Sequence, residues 1–306
     1  MSPADFSIAS WLRSGLSRKK RLNDVTKIMT TPKTIDLLRA SILGSNLRSR
    51  LFIARMFAIR YNLSRVNWVL EKLAASPECG NLTELQIGLL GYNFQIYIDP
   101  QDGGDRPSFF EVLYELGPDS LPQPPPELII DAGAHVGFFS LLARAKYPSA
   151  EIHAFEPLPR NFELLRRHIC VNSAGVTIHQ AALWKEDGIV DFVSPNKSNS
   201  GRIKKVSNLP VQQSVIIPVR SVRLSDALPR IRMGRLLLKM DIEGAELDVL
   251  ENALPLVGKS SMILCELHDT KKNLGRLSEL IRQCGWSAQM LKDSEPHSYW
   301  RLVSPS

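Results

Sequence analysis

Short apolar runs alternate with helix-period stretches from residue 127 onward. Leu128 to Ile130 has no polar position, which is typical of a central parallel strand covered on both faces. Further strands are predicted at Glu151 to Glu156, Val176 to Leu183, Leu236 to Met240 and Ser261 to Glu266. Helices are predicted between them at Phe138 to Lys146, Asn161 to Cys170, Ala245 to Leu256 and Asn273 to Cys284. Strands that alternate with helices predict an α/β fold with a doubly wound, mostly parallel sheet.

Four more runs have strand character. Trp286 to Leu291 and Ser298 to Val303 follow the last helix and predict an antiparallel pair that closes the sheet. Ile189 to Val193 and Val215 to Arg220 predict strands on either side of a polar loop, Ser194 to Gln213.

The segment before the main alternation has its own elements. Asn93 to Asp99 alternates apolar and polar positions and is predicted to form a hairpin with Leu85 to Leu90. A loop, Pro100 to Pro107, leads to a short helix, Phe109 to Leu116, that could roof a site. The run Leu121 to Pro126 contains four prolines and predicts a stiff linker.

The N-terminal quarter is helical in pattern and strongly basic. Residues 1 to 75 hold 14 Lys and Arg against 4 Asp and Glu, whereas residues 76 to 306 hold 24 against 27. Helices are predicted at Phe6 to Leu16, Thr34 to Leu43 and Leu47 to Ala75. The basic cluster Arg18 to Arg21 is consistent with a weak contact to an anionic membrane or with a solvated helix end. Because the rest of the chain is nearly neutral, we expect no nucleic-acid partner.

These patterns predict three parts: a basic helical extension over residues 1–80, a strand, helix and linker segment over 81–126, and the α/β domain over 127–306. With 306 residues and 44% hydrophobic content, the chain can bury a full core. No apolar run is long enough for a transmembrane helix, and no signal peptide is evident at the start. The four cysteines lack metal-ligand spacing. We therefore expect a cytoplasmic protein without a zinc site.

The sequence after the first central strand, ELIIDAGAHVGFFS, suits a nucleotide-type cofactor. Gly133, Ala134 and Gly137 keep side chains out of a tight turn, and the following helix offers unpaired N–H groups. Asp131 precedes the turn, and His135 stands where the dinucleotide fingerprint has a second glycine. The spacing Asp-x-Gly-x-x-x-Gly resembles motif I of class I S-adenosylmethionine methyltransferases. We predict cofactor contacts from all five residues.

Two residues at the ends of the next strands extend this prediction. Glu156 ends the second strand, where an ionised carboxylate can accept two hydrogen bonds from a ribose diol. Ala182, near the end of the third strand, is predicted to flank the adenine.

The stretch LLLKMDIEGAE brings polar groups to the same edge of the sheet. Lys239, Asp241 and Glu243 are candidate catalytic residues, since methyl transfer to an alcohol needs a base within hydrogen-bond reach. His268, after the next strand, is the alternative base. For Glu246 we prefer a structural role in the first turn of a helix, where the dipole favours acids.

Four blocks, DAGAHVGFFS, AFEPLPRNFELL, LLLKMDIEGAELDVLENA and ILCELH, resemble the FkbM family of S-adenosylmethionine-dependent O-methyltransferases in order and spacing. The resemblance covers roughly Tyr92 to Leu302. It implies a Rossmann-like class I methyltransferase fold, an S-adenosyl-L-methionine cofactor and an acceptor site beside Asp241 and Glu243. It implies cofactor contacts at Asp131, Gly133, Gly137 and Glu156. Family members usually carry Asn where this chain has His135, and His likewise tolerates unusual dihedrals.

The sequence thus predicts an enzyme that methylates a hydroxyl of a small or medium acceptor, such as a sugar or a polyketide-like metabolite. Two alternatives stay open: a nicotinamide-dependent oxidoreductase, which lacks its glycine fingerprint here, and a non-catalytic protein that acts through its basic extension. A divalent metal at Asp241, Glu266 and His268 is conceivable, but hydroxyl methylation does not require one. We predict no metal.

Overall fold

The computed structural model describes residues 40–60, 82–99, 102–195, 201–203, 214–227 and 234–305. The chain divides into two compact units, Met1–Ala75 and Ser76–Ser306. The described part of the first unit contains helix α1, Leu47–Arg60, which covers the first half of the predicted long helix. The predicted helix Phe6 to Leu16 and the basic cluster Arg18 to Arg21 lie outside the described residues.

The second unit begins with the predicted hairpin. Strands β1, Thr83–Leu89, and β2, Tyr92–Ile98, pair antiparallel. A helix α2, Asp105–Phe110, then runs directly into a π-helix, Glu111–Leu116. The predicted helix therefore begins four residues early, inside the predicted loop. The reason is Asp102, whose carboxylate accepts hydrogen bonds from the N–H groups that open the first turn.

A seven-stranded sheet forms the core of this unit. Its order is β12, β13, β11, β10, β3, β4, β5. The strands are β3 Leu128–Ala132, β4 Glu151–Phe155, β5 Thr177–His179, β10 Leu236–Met240, β11 Met262–Leu267, β12 Ser287–Ser294 and β13 His297–Val303. The five strands from β5 to β11 are parallel, and β13 and β12 close the sheet as the predicted antiparallel pair.

The helices between the strands confirm the predicted alternation. They are α3 Phe138–Lys146, α4 Pro159–Val171, α5 Leu224–Ala227, α6 Glu246–Ala253 and α7 Thr270–Cys284, with short 3₁₀ turns at Pro118–Ser120 and Leu254–Leu256. All five residues of β3 are buried, as the apolar run predicts. Among the described residues, no helix has both the length and the apolar character that a bilayer crossing requires.

The prediction of a third strand over Val176 to Leu183 is wrong in the second half of this range. The N–H of Ala181 donates to the carbonyl of His179 at 3.0 Å, which bends the chain after β5. Ala182–Leu183 then forms a separate strand, β6, in a second sheet of order β6, β9, β7, β8. The other members are β7 Gly188–Pro195, β8 Arg202–Ile203 and β9 Ser214–Val222. Most of the predicted polar loop, residues 196–200 and 204–213, lies outside the described residues.

The strand order reverses between β3 and β10. From β3 the chain proceeds to β4 and β5 on one side, and it later returns to place β10 and β11 on the other side. Open α/β sheets bind ligands in the crevice that such a reversal creates at the carboxyl ends of the strands.

Candidate functional site

A cavity of about 790 Å³ lies at the carboxyl ends of these strands. Its volume is in the range of small-molecule sites. Its walls include most of the predicted site residues: Gly133, Ala134, His135, Glu156, Ala182, Lys239, Asp241, Glu243 and His268. Asp131 and Gly137 do not line the cavity. They can therefore affect a bound ligand only by positioning neighbouring residues.

The turn between β3 and α3 has the tight geometry that its glycines predict. Gly133, His135 and Gly137 have φ angles of 71°, 52° and 92°. The N–H groups of Gly133 and Ala134 both donate to the carbonyl oxygen of Phe155, at 3.0 and 2.9 Å. His135 therefore occupies a left-handed conformation, which residues of its type tolerate better than branched ones.

Gly133 is required for a second reason. A Cβ atom at this position would lie 1.8 Å from the carbonyl oxygen of Asp241. The turn after β3 thus packs directly on the backbone that follows β10, and this close approach excludes every side chain.

Glu156 is buried beside this turn. One carboxylate oxygen accepts the N–H of His135 and the other accepts the N–H of Leu158, each at 2.9 Å. Burial raises the pKa of Glu156 to about 7, although both backbone hydrogen bonds and a hydrogen bond from Asn161 act to lower it. Each carboxylate oxygen keeps acceptor capacity for a further donor from the cavity.

Asp131 lies beneath the turn and is fully buried. Its carboxylate accepts a 2.7 Å hydrogen bond from the hydroxyl of Ser140 and lies 3.6 Å from the ammonium of Lys239. Burial is the main cause of its raised pKa, and it outweighs the opposing effect of Lys239. Asp131 therefore supports the turn and the Lys239 side chain from below.

His135 presents an imidazole with unused polar atoms. Neither ring nitrogen has a hydrogen-bond partner, although both nitrogens are buried and the residue lines the cavity. Burial lowers its pKa, so the ring is neutral near neutral pH. Such orphaned nitrogens are costly without a partner and fit a polar group of a bound ligand.

A partly buried ion pair beside His135 has no signal in the sequence. The guanidinium of Arg160 donates to both carboxylate oxygens of Asp105, at 2.8 and 2.9 Å. Asp105 lies 3.7 Å from His135 and is completely buried. Asp105 lies in a predicted loop and Arg160 lies just before a predicted helix, and no local pattern connects two residues so far apart in sequence.

The loop between β10 and α6 carries the other acidic candidates. His268 contacts Glu246 through Nδ1 at 2.9 Å and Glu243 through Nε2 at 3.2 Å. Burial acts to lower the pKa of His268, but these two carboxylates raise it to about 11. Glu246 also accepts the N–H of Gly244 at 2.9 Å. Glu246 thus has a structural role, as predicted, but through buried contacts rather than the helix dipole alone. Asp241 is 37% exposed and faces the cavity.

Two groups of side chains have the spacing of metal ligands. The ligand atoms of Asp241, Glu243 and His268 lie within 4.8 Å of one another, and so do those of Asp102, Asp105 and His135. Glu266, which the sequence suggested as a ligand, is not part of the first group. In the second group Arg160 lies 3.7 Å from Asp102 and 2.8 Å from Asp105, and in the first group His268 already contacts a carboxylate at each ring nitrogen.

Most of the second unit is similar in sequence to known proteins. The Methyltransferase FkbM domain matches residues 131–287. Methyltransferase 1 of Beauveria bassiana is 32% identical over 58% of this chain and 79% of its own length. Methyltransferase sdnD of Sordaria araneosa is 35% identical over 47% of this chain and 65% of its own length. The 31-O-demethyl-FK506 methyltransferase FkbM of Streptomyces tacrolimicus is 25% identical over 55% of this chain and 76% of its own length.

Proposed function

This chain belongs to the FkbM methyltransferase family, and from that premise we propose that it transfers the methyl group of S-adenosylmethionine to a hydroxyl of a small or medium acceptor. A sugar or a polyketide-like metabolite is the acceptor class we favour. The observation that carries the proposal is that Glu156, the glycine turn and Asp241 line one cavity.

The residues on the β3 and β4 side of the cavity fit the cofactor. Glu156 is a buried carboxylate with free acceptor capacity for the ribose hydroxyls. Ala182 and its neighbours offer an apolar wall for the adenine. The unpartnered nitrogens of His135 suit the polar amino-acid end of the cofactor. The cofactor, when bound, supplies a methyl group on a positively charged sulfur.

Asp241 is the residue we assign as the base. Its carboxylate lines the cavity and is partly accessible, so it can accept the proton of an acceptor hydroxyl. As the methyl–oxygen bond forms and the methyl–sulfur bond breaks, the hydroxyl proton passes to Asp241. S-adenosylhomocysteine is the second product.

The other predicted catalytic residues support Asp241 in this proposal. With its pKa at about 11, His268 is protonated at neutral pH and lacks a free nitrogen, so it is a poor base. Glu243 contacts His268 and completes the loop. The ammonium of Lys239 lies 3.9 Å from Asp241 and links it to the glycine turn.

Oxygen as the acceptor atom is supported by a relative's name. The Streptomyces tacrolimicus protein is named for an O-demethyl substrate, which specifies methylation at oxygen in that protein. For the present chain, the same assignment is part of our proposal, and a carboxylate base is the group that an alcohol acceptor requires.

Calorimetry and mass spectrometry test the proposal in two steps. We expect the wild-type chain to bind S-adenosylmethionine and Glu156→Ala to bind it at least tenfold more weakly, since hydrogen bonds to a charged group are lost. Equal binding would disprove the ribose assignment. Screening hydroxyl compounds with the purified enzyme should then reveal a product that has gained one methylene unit in mass. Incubation with a nicotinamide cofactor serves as the control.

A further inference from the structure

A row of polar side chains crosses the sheet. It runs from the side of the cavity where we place the cofactor to the edge strand of the sheet, β12. Asp241 follows β10, and Glu266 lies beside it in β11, one position beyond the last register pair of these strands. Glu266 pairs with Tyr299 of β13, which in turn pairs with Lys292 of β12. All four residues line the cavity. With neighbouring strands about 4.8 Å apart, the row spans about 14 Å.

The two central members of the row act as a unit. Glu266 and Tyr299 are directly opposite each other on neighbouring strands, and both are partly buried. Burial, together with the nearby charge of Asp241, raises the pKa of Glu266 to about 8.

The far end of the row is closed. The ammonium of Lys292 lies 2.9 Å from the carboxylate of Glu115 in the π-helix. This ion pair connects β12 to the segment that roofs the cavity. A ligand that reaches Asp241 from this side therefore lies along Glu266 and Tyr299.

We propose that Glu266 and Tyr299 bind a second hydroxyl of the acceptor while Asp241 binds the hydroxyl that is methylated. This inference rests on the proposed function. Because Asp241 and Glu266 lie on adjacent strands, two hydroxyls on neighbouring carbons can reach both groups with ordinary hydrogen bonds. The enzyme then selects vicinal diols over alcohols with a single hydroxyl.

A hydroxyl suits this pair better than an anion or an amine. An anionic substituent would meet the acidic side chains of Asp241 and Glu111, which both lie near Tyr299. A hydroxyl both donates and accepts hydrogen bonds, and so do the neutral carboxyl of Glu266 and the phenol of Tyr299. An ammonium group can only donate, and it gains most from an ionised carboxylate.

The test measures binding of three ring compounds to the full chain saturated with S-adenosylhomocysteine, by ligand-observed magnetic resonance. The compounds are a vicinal cyclohexanediol, cyclohexanol and the corresponding vicinal aminoalcohol. In the wild type we expect the diol to bind about tenfold more tightly than cyclohexanol, the effect of one strong additional hydrogen bond. Glu266→Ala and Tyr299→Phe should reduce this preference to less than about threefold.

Ser108→Ala is the control, because it alters a polar residue of the cavity wall outside the row and should keep the preference. Equal binding of diol and alcohol, no binding of the diol, tighter binding of the aminoalcohol, or a preference that survives both row variants would overturn the inference. Failure of the proposed function is distinguishable, since the wild type would then fail to bind S-adenosylmethionine or to transfer its methyl group to any hydroxyl.

Discussion

The ammonium of Lys239 donates a 2.7 Å hydrogen bond to the carbonyl oxygen of Gly133. The same group lies 3.6 Å from Asp131 and 3.9 Å from Asp241. Burial acts to lower the pKa of Lys239, but the surrounding carboxylates, led by Asp241 and Asp131, raise it on balance. The Lys239 ammonium therefore holds the glycine turn between β3 and α3 in place relative to Asp241, the carboxylate that we assign as the base.

The packing at the turn predicts that Gly133→Ala is far more damaging than an alanine at another left-handed glycine. Gly285 is the matched control, since its φ of 68° resembles the 71° of Gly133 but nothing lies within 4 Å of its added Cβ. We expect Gly285→Ala to cost about 1–2 kcal/mol of unfolding free energy. Gly133→Ala carries the same backbone cost and a clash of about 1–3 kcal/mol more. Urea unfolding measures both, and equal losses would contradict the packing argument.

Lys239→Met is predicted to destabilise the fold because it leaves Asp131 buried without its cation. Removing one partner of a buried pair typically costs about 3–5 kcal/mol. Asp131→Asn in the Lys239→Met background should restore part of this loss, since the amide carries no charge. Urea unfolding of the two single variants and the double variant gives the coupling energy. Additive losses would show that the two side chains do not act as a pair.

The sequence predicted those parts of the fold that depend on local patterns. The apolar run of β3 predicts a buried strand, and the glycines after it predict a tight turn. Each of these patterns is contained within a few consecutive residues. The predicted bounds of α3 and β10 agree with the structure. The separation of Ala182–Leu183 from β5 was not predictable in this way, because it depends on pairing with β9, about forty residues further along the chain.

The candidate site was predictable only where its residues lie at strand ends. Glu156 and Asp241 follow apolar runs, and parallel strands bring their carboxyl ends to one edge. The pair formed by Asp105 and Arg160 has no such signal, since only the tertiary fold brings a loop residue onto a helix start. The contacts of His268 with Glu243 and Glu246 are equally non-local, and they raise the pKa of this candidate base.

The pKa of Glu156 predicts a pH dependence of cofactor affinity. The ribose hydroxyls donate to an ionised carboxylate, so affinity should rise as Glu156 loses its proton. With a pKa of about 7, the ionised fraction rises about tenfold between about pH 6 and about pH 8. Calorimetric titration with S-adenosylmethionine over this range should show the rise, and Glu156→Ala should abolish it. An affinity in the wild type that is constant or falls with pH would exclude an ionised Glu156 as the ribose ligand.

Asp241→Asn is predicted to lower kcat without a comparable loss of cofactor affinity. The amide cannot accept the hydroxyl proton, and loss of a general base typically costs about 10²–10⁴-fold. Glu115→Gln, which also alters an acid of the cavity wall, should retain kcat to within about tenfold. Single-turnover rates and cofactor calorimetry on both variants separate chemistry from binding. Full activity in Asp241→Asn would assign the base to another group.

The buried contacts of His268 predict how stability changes with pH. Its pKa is about 11 in the folded chain against an ordinary 6.5, so the folded state holds the proton more tightly. The resulting stabilisation is fully present below about pH 6.5 and is lost as pH rises toward about pH 11. The difference in unfolding free energy between the wild type and His268→Gln should therefore shrink from about pH 6 to about pH 10. Glu246→Gln should weaken this pH dependence, because it removes one of the charges that hold the proton. A difference that stays constant across this range would mean that folding does not change the pKa of His268.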